Sequence, residues 1–316
     1  MTDIMVGVVG STGETGGSII NGLLEAGGFS IIALTRPASV VKPATNALKD
    51  RGVEIRSLDL STSQDEIVAA LKGIEVLISA IGPMEQLEQI PLATAAKTAG
   101  VKRFLPCGGM PVVPAGGIHM LRDVKETIAF PELPSGRIDY AVGIPGQRLP
   151  GDGNVPNAIT DLRDIGRYVA KIIVDDRTLN KYVFVFNELH TPNEICDLLE
   201  KLSGEKLPRN YVDKETLRQR IANAEAKMAN GTTDYLTAMT IVTSQYLMSW
   251  GIRGDNTPEN AKYLGYVTSK ELYPDMHFTK FENYLRDEVL AGSATVVYEA
   301  RKEEMAKMMK NLQEAH

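Results

Sequence analysis

An apolar run of strand length, "IMVGVVG" at residues 4–10, leads straight into "STGETGGSII", so glycines at positions 10, 13 and 16 stand between a strand and a helix. A glycine triplet alone is weak evidence, because tight turns use glycine for many reasons. Placed between a strand and a helix it has a physical reading. Gly10 permits the sharp turn, Gly13 lets the backbone approach a pyrophosphate, and Gly16 lets helix and strand lie close, while the helix N-terminus faces the anion.

The rest of the first half repeats the alternation. Apolar runs at 29–35 ("FSIIALT"), 53–60 ("VEIRSLDL"), 75–82 ("EVLISAIG") and 102–108 ("KRFLPCG") are separated by helix-length segments at 16–26, 64–72 and 87–99, with a loop after residue 35. Near-continuous apolar strands alternating with helices predict a parallel sheet covered on both faces, a Rossmann-type doubly wound α/β fold. The second half reads as helices at 161–174, 191–203, 212–229, 233–249, 280–289 and 293–314, interrupted by a strand "YVFVFN" at 182–187. The expected organisation is a dinucleotide-binding domain over 1–150. A smaller, mostly helical substrate region over 151–316 is interleaved with the last sheet strands. The terminal helix reads as a solvated end with one Met-lined packing face.

Cofactor choice is read at the end of the second strand. Where an NAD-binding chain places an acidic residue on the ribose 2′-OH, this one has Arg36. A carboxylate there repels a 2′-phosphate, whereas a guanidinium pairs with it and can stack on adenine, so NADP(H) is expected over NAD(H). Lys42 in the same loop either adds charge or is simply solvated.

Net charge is −6 and the basic residues are scattered, which argues against nucleic acid as a partner and for a small molecule. There is no signal-like start at "MTDIM" and no apolar run long enough to cross a bilayer. The two cysteines, Cys107 and Cys196, are far apart with no metal-ligand spacing, so buried free thiols, no metal site and a cytoplasmic location are expected.

The G-x-x-G-x-x-G spacing differs from the dehydrogenase form by one residue and points to extended or atypical short-chain reductases. Together with "GSTGETGGSI", the strand end "TR", "SAIG", "VKRFLPCGG", "ITDLRDIGRYVAKIIVDDRTLNKYVF", "SGEKL" and "LYPDMHFTKFENYL", it makes the chain resemble the isoflavone-reductase-like (phenylcoumaran benzylic ether reductase-like) group of the NmrA-like family in its fungal form, over nearly its whole length. The resemblance implies a monomer or homodimer, NADPH as hydride donor and an aromatic natural-product substrate. Ordinary short-chain dehydrogenases pass the proton from a tyrosine paired with a lysine four residues on; the resemblance instead assigns it to one lysine soon after the fifth strand. Lys125, in "HMLRDVKETI", stands in the matching place, and burial beside the nicotinamide would have to lower its pKa. The candidate cofactor-binding residues are thus Gly10, Thr12, Gly13, Thr15, Gly16, Arg36, Ala80, Ile81 and Lys125, with Lys125 also the catalytic candidate. His119 either orients substrate or relays a proton, or is a loop histidine without a role. Cys107 is expected beside the cofactor as a packing residue.

One departure bears on activity. After Lys125 the family carries the rest of a helix and a further core strand, whereas here "VKETI" runs almost directly into "AFPELPSGRIDY", with Pro131 and Pro134 stopping any helix. On the order of 20 residues are missing by typical strand and connection lengths. Either "RIDYAVGIP" takes the vacant place in the sheet, or the sheet is one strand short and the pocket is open. The expected activity is NADPH-dependent reduction of an aromatic or carbonyl-containing secondary metabolite. The alternative is a non-catalytic NADP(H)-sensing regulator, a class the family also contains.

Overall fold

The computed structural model describes residues 3–107, 111–114, 117–118, 148–231 and 235–292. Its first half is built on five strands, β1 (Ile4–Val9), β2 (Phe29–Thr35), β3 (Glu54–Ser57), β4 (Val76–Ser79) and β5 (Arg103–Leu105). They lie in the order β3-β2-β1-β4-β5, and every pairing is parallel. The connecting helices are α1 (Glu14–Ala26), α2 (Pro43–Lys49), α3 (Gln64–Ala70) and α4 (Gln89–Thr98). Helix α2 falls inside the stretch expected to be loop; it is only seven residues long and starts at a proline in its first turn, too short for an apolar period to register.

The central strands β1, β2 and β4 are apolar on both faces because both are covered. Val6, Val8, Ile31, Ala33, Val76 and Ile78 point into one core, and Val9, Ile32, Leu34 and Leu77 into the other, the period-two alternation of a strand. Helices α3 and α4 cover the second core, through Ile67, Leu71, Leu92, Ala95 and Ala96.

The first core is completed by residues from beyond position 150. Helix α5 (Leu162–Ile172) starts at Asp161, whose carboxylate accepts from Arg163 N–H, and buries Ile165, Tyr168, Val169 and Ile172 beside Ile19, Ile20 and Leu23 of α1. The two helices cross with their backbones in contact. A Cβ on Gly22 would lie 2.1 Å from the Gly166 carbonyl carbon, and one on Gly166 would lie 1.8 Å from the Ser18 carbonyl oxygen. Ser18 Oγ donates to the Leu162 carbonyl and accepts from Gly166 N–H at 3.0 Å. At the sheet edge, Arg103 of β5 donates to the carbonyls of Ile172 (3.0 Å) and Asp175 (3.1 Å), tying that strand to the end of α5. The fully buried Asp164 accepts from Arg167 Nη1 (2.9 Å), Asn187 Nδ2 (2.7 Å) and Thr279 N–H (2.8 Å), which satisfies a charge that burial would otherwise make costly.

Beyond α5 the described strands pair with one another in three two-stranded sheets: β6 (Leu149–Pro150) with β10 (Tyr211–Val212), β7 (Asn157–Ile159) with β9 (Glu188–His190), and β8 (Val183–Phe184) with β11 (Val267–Thr268). Helices α6 (Pro192–Ser203), α7 (Lys214–Ala229) and α8 (Tyr235–Tyr246) lie among them. The helix expected over 233–249 passes at Leu247 into a π-type segment ending at Arg253, and the one expected over 280–289 does the same at Leu285. The terminal helix expected over 293–314 lies outside the described residues.

Gly166→Ala is expected to cost at least about 2–3 kcal/mol, because its methyl meets backbone that cannot yield locally. Thermal unfolding monitored by circular dichroism checks this; a melting temperature equal to the parent's would mean the helices do not cross as described.

Candidate functional site

Because all five strands of the main sheet run the same way, their C-terminal ends open on one edge. Register places Val9 opposite Leu34 and Ser79, Thr35 opposite Ser57, and Ile78 opposite Leu105. The residues that follow, Gly10, Arg36, Asp59, Ala80 and Cys107, are therefore carried by the same edge. In open α/β sheets this is where ligands bind, at the point where the strand order reverses, here between β1 and β4.

The three loop glycines are glycine for different reasons. Gly10 has φ +76°, and a Cβ there would lie 2.4 Å from the Ala80 carbonyl oxygen, so both conformation and packing require it. A Cβ on Gly16 would lie 2.1 Å from the Gly10 carbonyl oxygen, which sets α1 hard against the loop. Gly13 is different. Its φ is −76°, and an added Cβ would meet only the Gly10 carbonyl oxygen, at 3.3 Å. That contact is tight but far from the overlaps at 10 and 16, so the fold asks less for glycine at 13 than at its neighbours, and an anion approaching the backbone would ask for it.

Gly13 is also the N-cap of α1, and no side chain caps that helix end. Among the described residues six other α-helices carry a Ser, Thr or Asp cap that accepts from the first turn, at Ser63, Asp161, Thr191, Asp213, Thr257 and Thr268, while those starting at Pro43, Gln89 and Phe281 also lack one. The first-turn N–H groups of α1 thus present partial positive charge to the edge. Ser11 Oγ and Ser79 Oγ, both buried, have no hydrogen-bond partner among the described residues. Unpaired buried hydroxyls cost free energy, and phosphate oxygens can accept from them. Thr12 lies in the same loop, exposed, and Thr15 in the first turn of α1, half-buried. These features fit a pyrophosphate.

Arg36 follows β2 directly and is exposed, with no guanidinium hydrogen bond to the described residues. Nearby Asp59 accepts from Ser61 N–H (2.9 Å) and Ser61 Oγ (2.7 Å); those bonds, the Ser61 hydroxyl's foremost, and secondarily the Arg36 charge hold its carboxyl below the usual range. At the other end, Ala80 and Ile81 are half-buried, and the Ile81 carbonyl accepts from Cys107 Sγ at 3.2 Å. Cys196 is buried, and burial pushes its thiol up. Cys107 is only partly buried, contrary to expectation, because it sits where β5 has ended.

Lys125 and His119 lie outside the described residues. The tyrosine–lysine spacing of ordinary short-chain dehydrogenases does occur, at Tyr266/Lys270 and Tyr298/Lys302. The second pair lies outside the described residues. In the first, β11 intervenes, so the two do not share one helix face: Tyr266 packs on the Tyr182 ring at 4.9 Å, and Lys270 Nζ lies 3.7 Å over the Phe278 ring. Among the described residues no cluster of His, Cys, Asp or Glu could hold a metal, and no helix is long and apolar enough to cross a membrane. Ser11, Ser79 and Asp59 carry no signal in the sequence beyond their position, inside the glycine loop or at a strand end.

Gly13→Val is expected to abolish dinucleotide binding while changing the melting temperature little, a contrast that Gly10→Val and Gly16→Val should not show; thermal shift by NADPH reads both quantities. NADPH should bind about tenfold or more tightly than NADH through Arg36, and Arg36→Asp should reverse the order. Fluorescence titration checks it, equal affinities in the parent counting against Arg36.

The NmrA-like family model matches residues 2–120 and 135–285. Asnovolin J 5',6'-dehydrogenase of Aspergillus novofumigatus is 41% identical over an alignment of 315 residues, covering 92% of this chain and 96% of its own. Isoflavone reductase homolog P3 of Arabidopsis thaliana is 29% identical, covering 88% and 96%. Among solved structures, the leucoanthocyanidin reductase–NADPH complex from Vitis vinifera superposes with a TM-score of 0.74 at 25% identity, covering 90% of this chain and 99% of that one. The break in the family match falls where the sequence departs from the family pattern, and Lys125 lies in it. With the parallel sheet, the glycine loop and these matches, the chain belongs to the NmrA-like family.

Proposed function

We propose that this chain is an NADPH-dependent oxidoreductase that passes a hydride between the nicotinamide and an aromatic or carbonyl-containing secondary metabolite in the cytosol. The observation that carries the reading is Gly13, a glycine that its own φ does not demand and whose Cβ would meet a single backbone oxygen, at 3.3 Å, at the uncapped start of α1. The α1 N-terminus, with Ser11, holds the pyrophosphate, and Arg36 holds the 2′-phosphate. In this reading the Asp59 carboxylate, beyond β3, accepts from the adenine amine. When bound, NADPH supplies the hydride; the protein's own part is to hold the cofactor and move the proton.

Residues 1–150 carry the cofactor, and the region over 151–316 shapes the substrate site. Lys125 is the proposed proton carrier, donating to the substrate atom that gains negative charge. Relatives named as dehydrogenase, isoflavone reductase homolog and phenylcoumaran benzylic ether reductase support enzyme over sensor, and the last two support an aromatic substrate. The first name gives a dehydrogenation, so the hydride is to be sought in both directions.

The test is NADPH oxidation against phenolic ketones, enones and benzylic ethers, and NADP+ reduction against their reduced forms. Lys125→Ala is expected to leave NADPH affinity nearly unchanged and to cut turnover about 10²–10⁴-fold. Lys125→Arg should fail as well, since a guanidinium does not give up its proton at neutral pH. A parent that binds NADPH, turns over none of the panel and retains a protein partner in pull-down would overturn the catalytic reading in favour of a sensor.

A further inference from the structure

Two glutamines after β4 are buried almost completely: Gln86 is 1% exposed and Gln89 0%. A primary amide is unfavourable away from water unless its polar atoms are paired. These pair with two particular strand ends. Gln86 Nε2 donates to the Gly82 carbonyl at 2.9 Å, and Gln89 Nε2 donates to Gln86 Oε1 at 3.0 Å. Gln89 Oε1 accepts from Cys107 N–H at 2.6 Å, and Cys107 Sγ donates to the Ile81 carbonyl at 3.2 Å. The ring closes from Gly82 through Gln86, Gln89 and Cys107 back to Ile81. The paired register of β4 and β5 ends at Ile78 and Leu105; past that point the two amides join what the backbone ladder no longer does.

The place of this ring on the edge gives it a use. With the 2′-phosphate at Arg36 beyond β2 and the pyrophosphate at the α1 N-terminus beyond β1, an extended dinucleotide continues over the ends of β4 and β5. We propose that the buried Gln86–Gln89 pair is a positioning device for the nicotinamide half of the cofactor, fixing the 80–82 segment against Cys107 so that this wall is rigid before the cofactor arrives. Both are positioning residues, since they act through Ile81, Gly82 and Cys107. The inference rests on the cofactor reading above.

The test separates the two halves of the cofactor. In the parent protein, NADPH should slow the modification of Cys107 by a maleimide, followed peptide by peptide to distinguish it from Cys196, whereas 2′,5′-ADP, which lacks the nicotinamide, should not. In Gln89→Leu, and in Gln86→Met should that variant not fold, affinity for 2′,5′-ADP should stay within about twofold while NADPH affinity falls about tenfold. Enhancement of NADPH fluorescence on binding should drop, and Cys107 should react faster. Parallel weakening of both ligands, no change in either, or equal protection of Cys107 by both would overturn the positioning role and leave the cofactor reading intact. A parent that binds neither ligand would overturn the cofactor reading and this inference with it.

Discussion

The backbone contact of α1 with α5 at Ser18, Gly22 and Gly166 is the constraint on which the rest depends. It lets two helices approach more closely than any side chain larger than hydrogen would allow, and it seals one face of the sheet with residues from beyond position 150. Since α1 is held there along its length, its first turn is fixed relative to β1, and the direction of its first-turn N–H groups is fixed with it. Packing far from the edge thereby sets the electrostatics at the edge.

At that edge the protein has arranged donors without acceptors of its own. Helix α1 is left uncapped where six others are capped, two buried hydroxyls have no partner among the described residues, and Arg36 extends into solvent. Each is unfavourable or neutral for the folded chain alone, and together they suit an anion with phosphates at two places. Beyond β4 the character changes: polar groups are paired to one another through Gln86 and Gln89 instead of being left open. One side of the edge offers open donors, the other a wall of paired polar groups.

Much of this was legible in the sequence, for physical reasons. The β1, β2 and β4 runs are apolar at nearly every position, as strands buried on both faces must be, and the glycine positions report backbone geometry directly. Arg36 was readable because it directly follows a strand whose end is predictable. What could not be read depended on partners distant in sequence: Gly166 looks like an ordinary helix glycine until α1 is laid across it, and a buried glutamine has the same letter as an exposed one. Short strands such as β7 and β11, at three and two residues, carry too little period to stand out. The tyrosine–lysine spacing at Tyr266/Lys270 is the converse case, a pattern without its helix.

Whether the strand ends and the start of α1 form one binding edge for NADP(H) is decided by a crystal structure of the protein grown with NADP+, through the distances from the cofactor's phosphate oxygens to the protein. The pyrophosphate is expected within hydrogen-bond distance of the first-turn N–H groups of α1 at Gly13, the 2′-phosphate on the Arg36 guanidinium and the nicotinamide over Ile81 and Cys107. Pyrophosphate bound elsewhere, or a cofactor running the opposite way with its nicotinamide at Arg36, would contradict this.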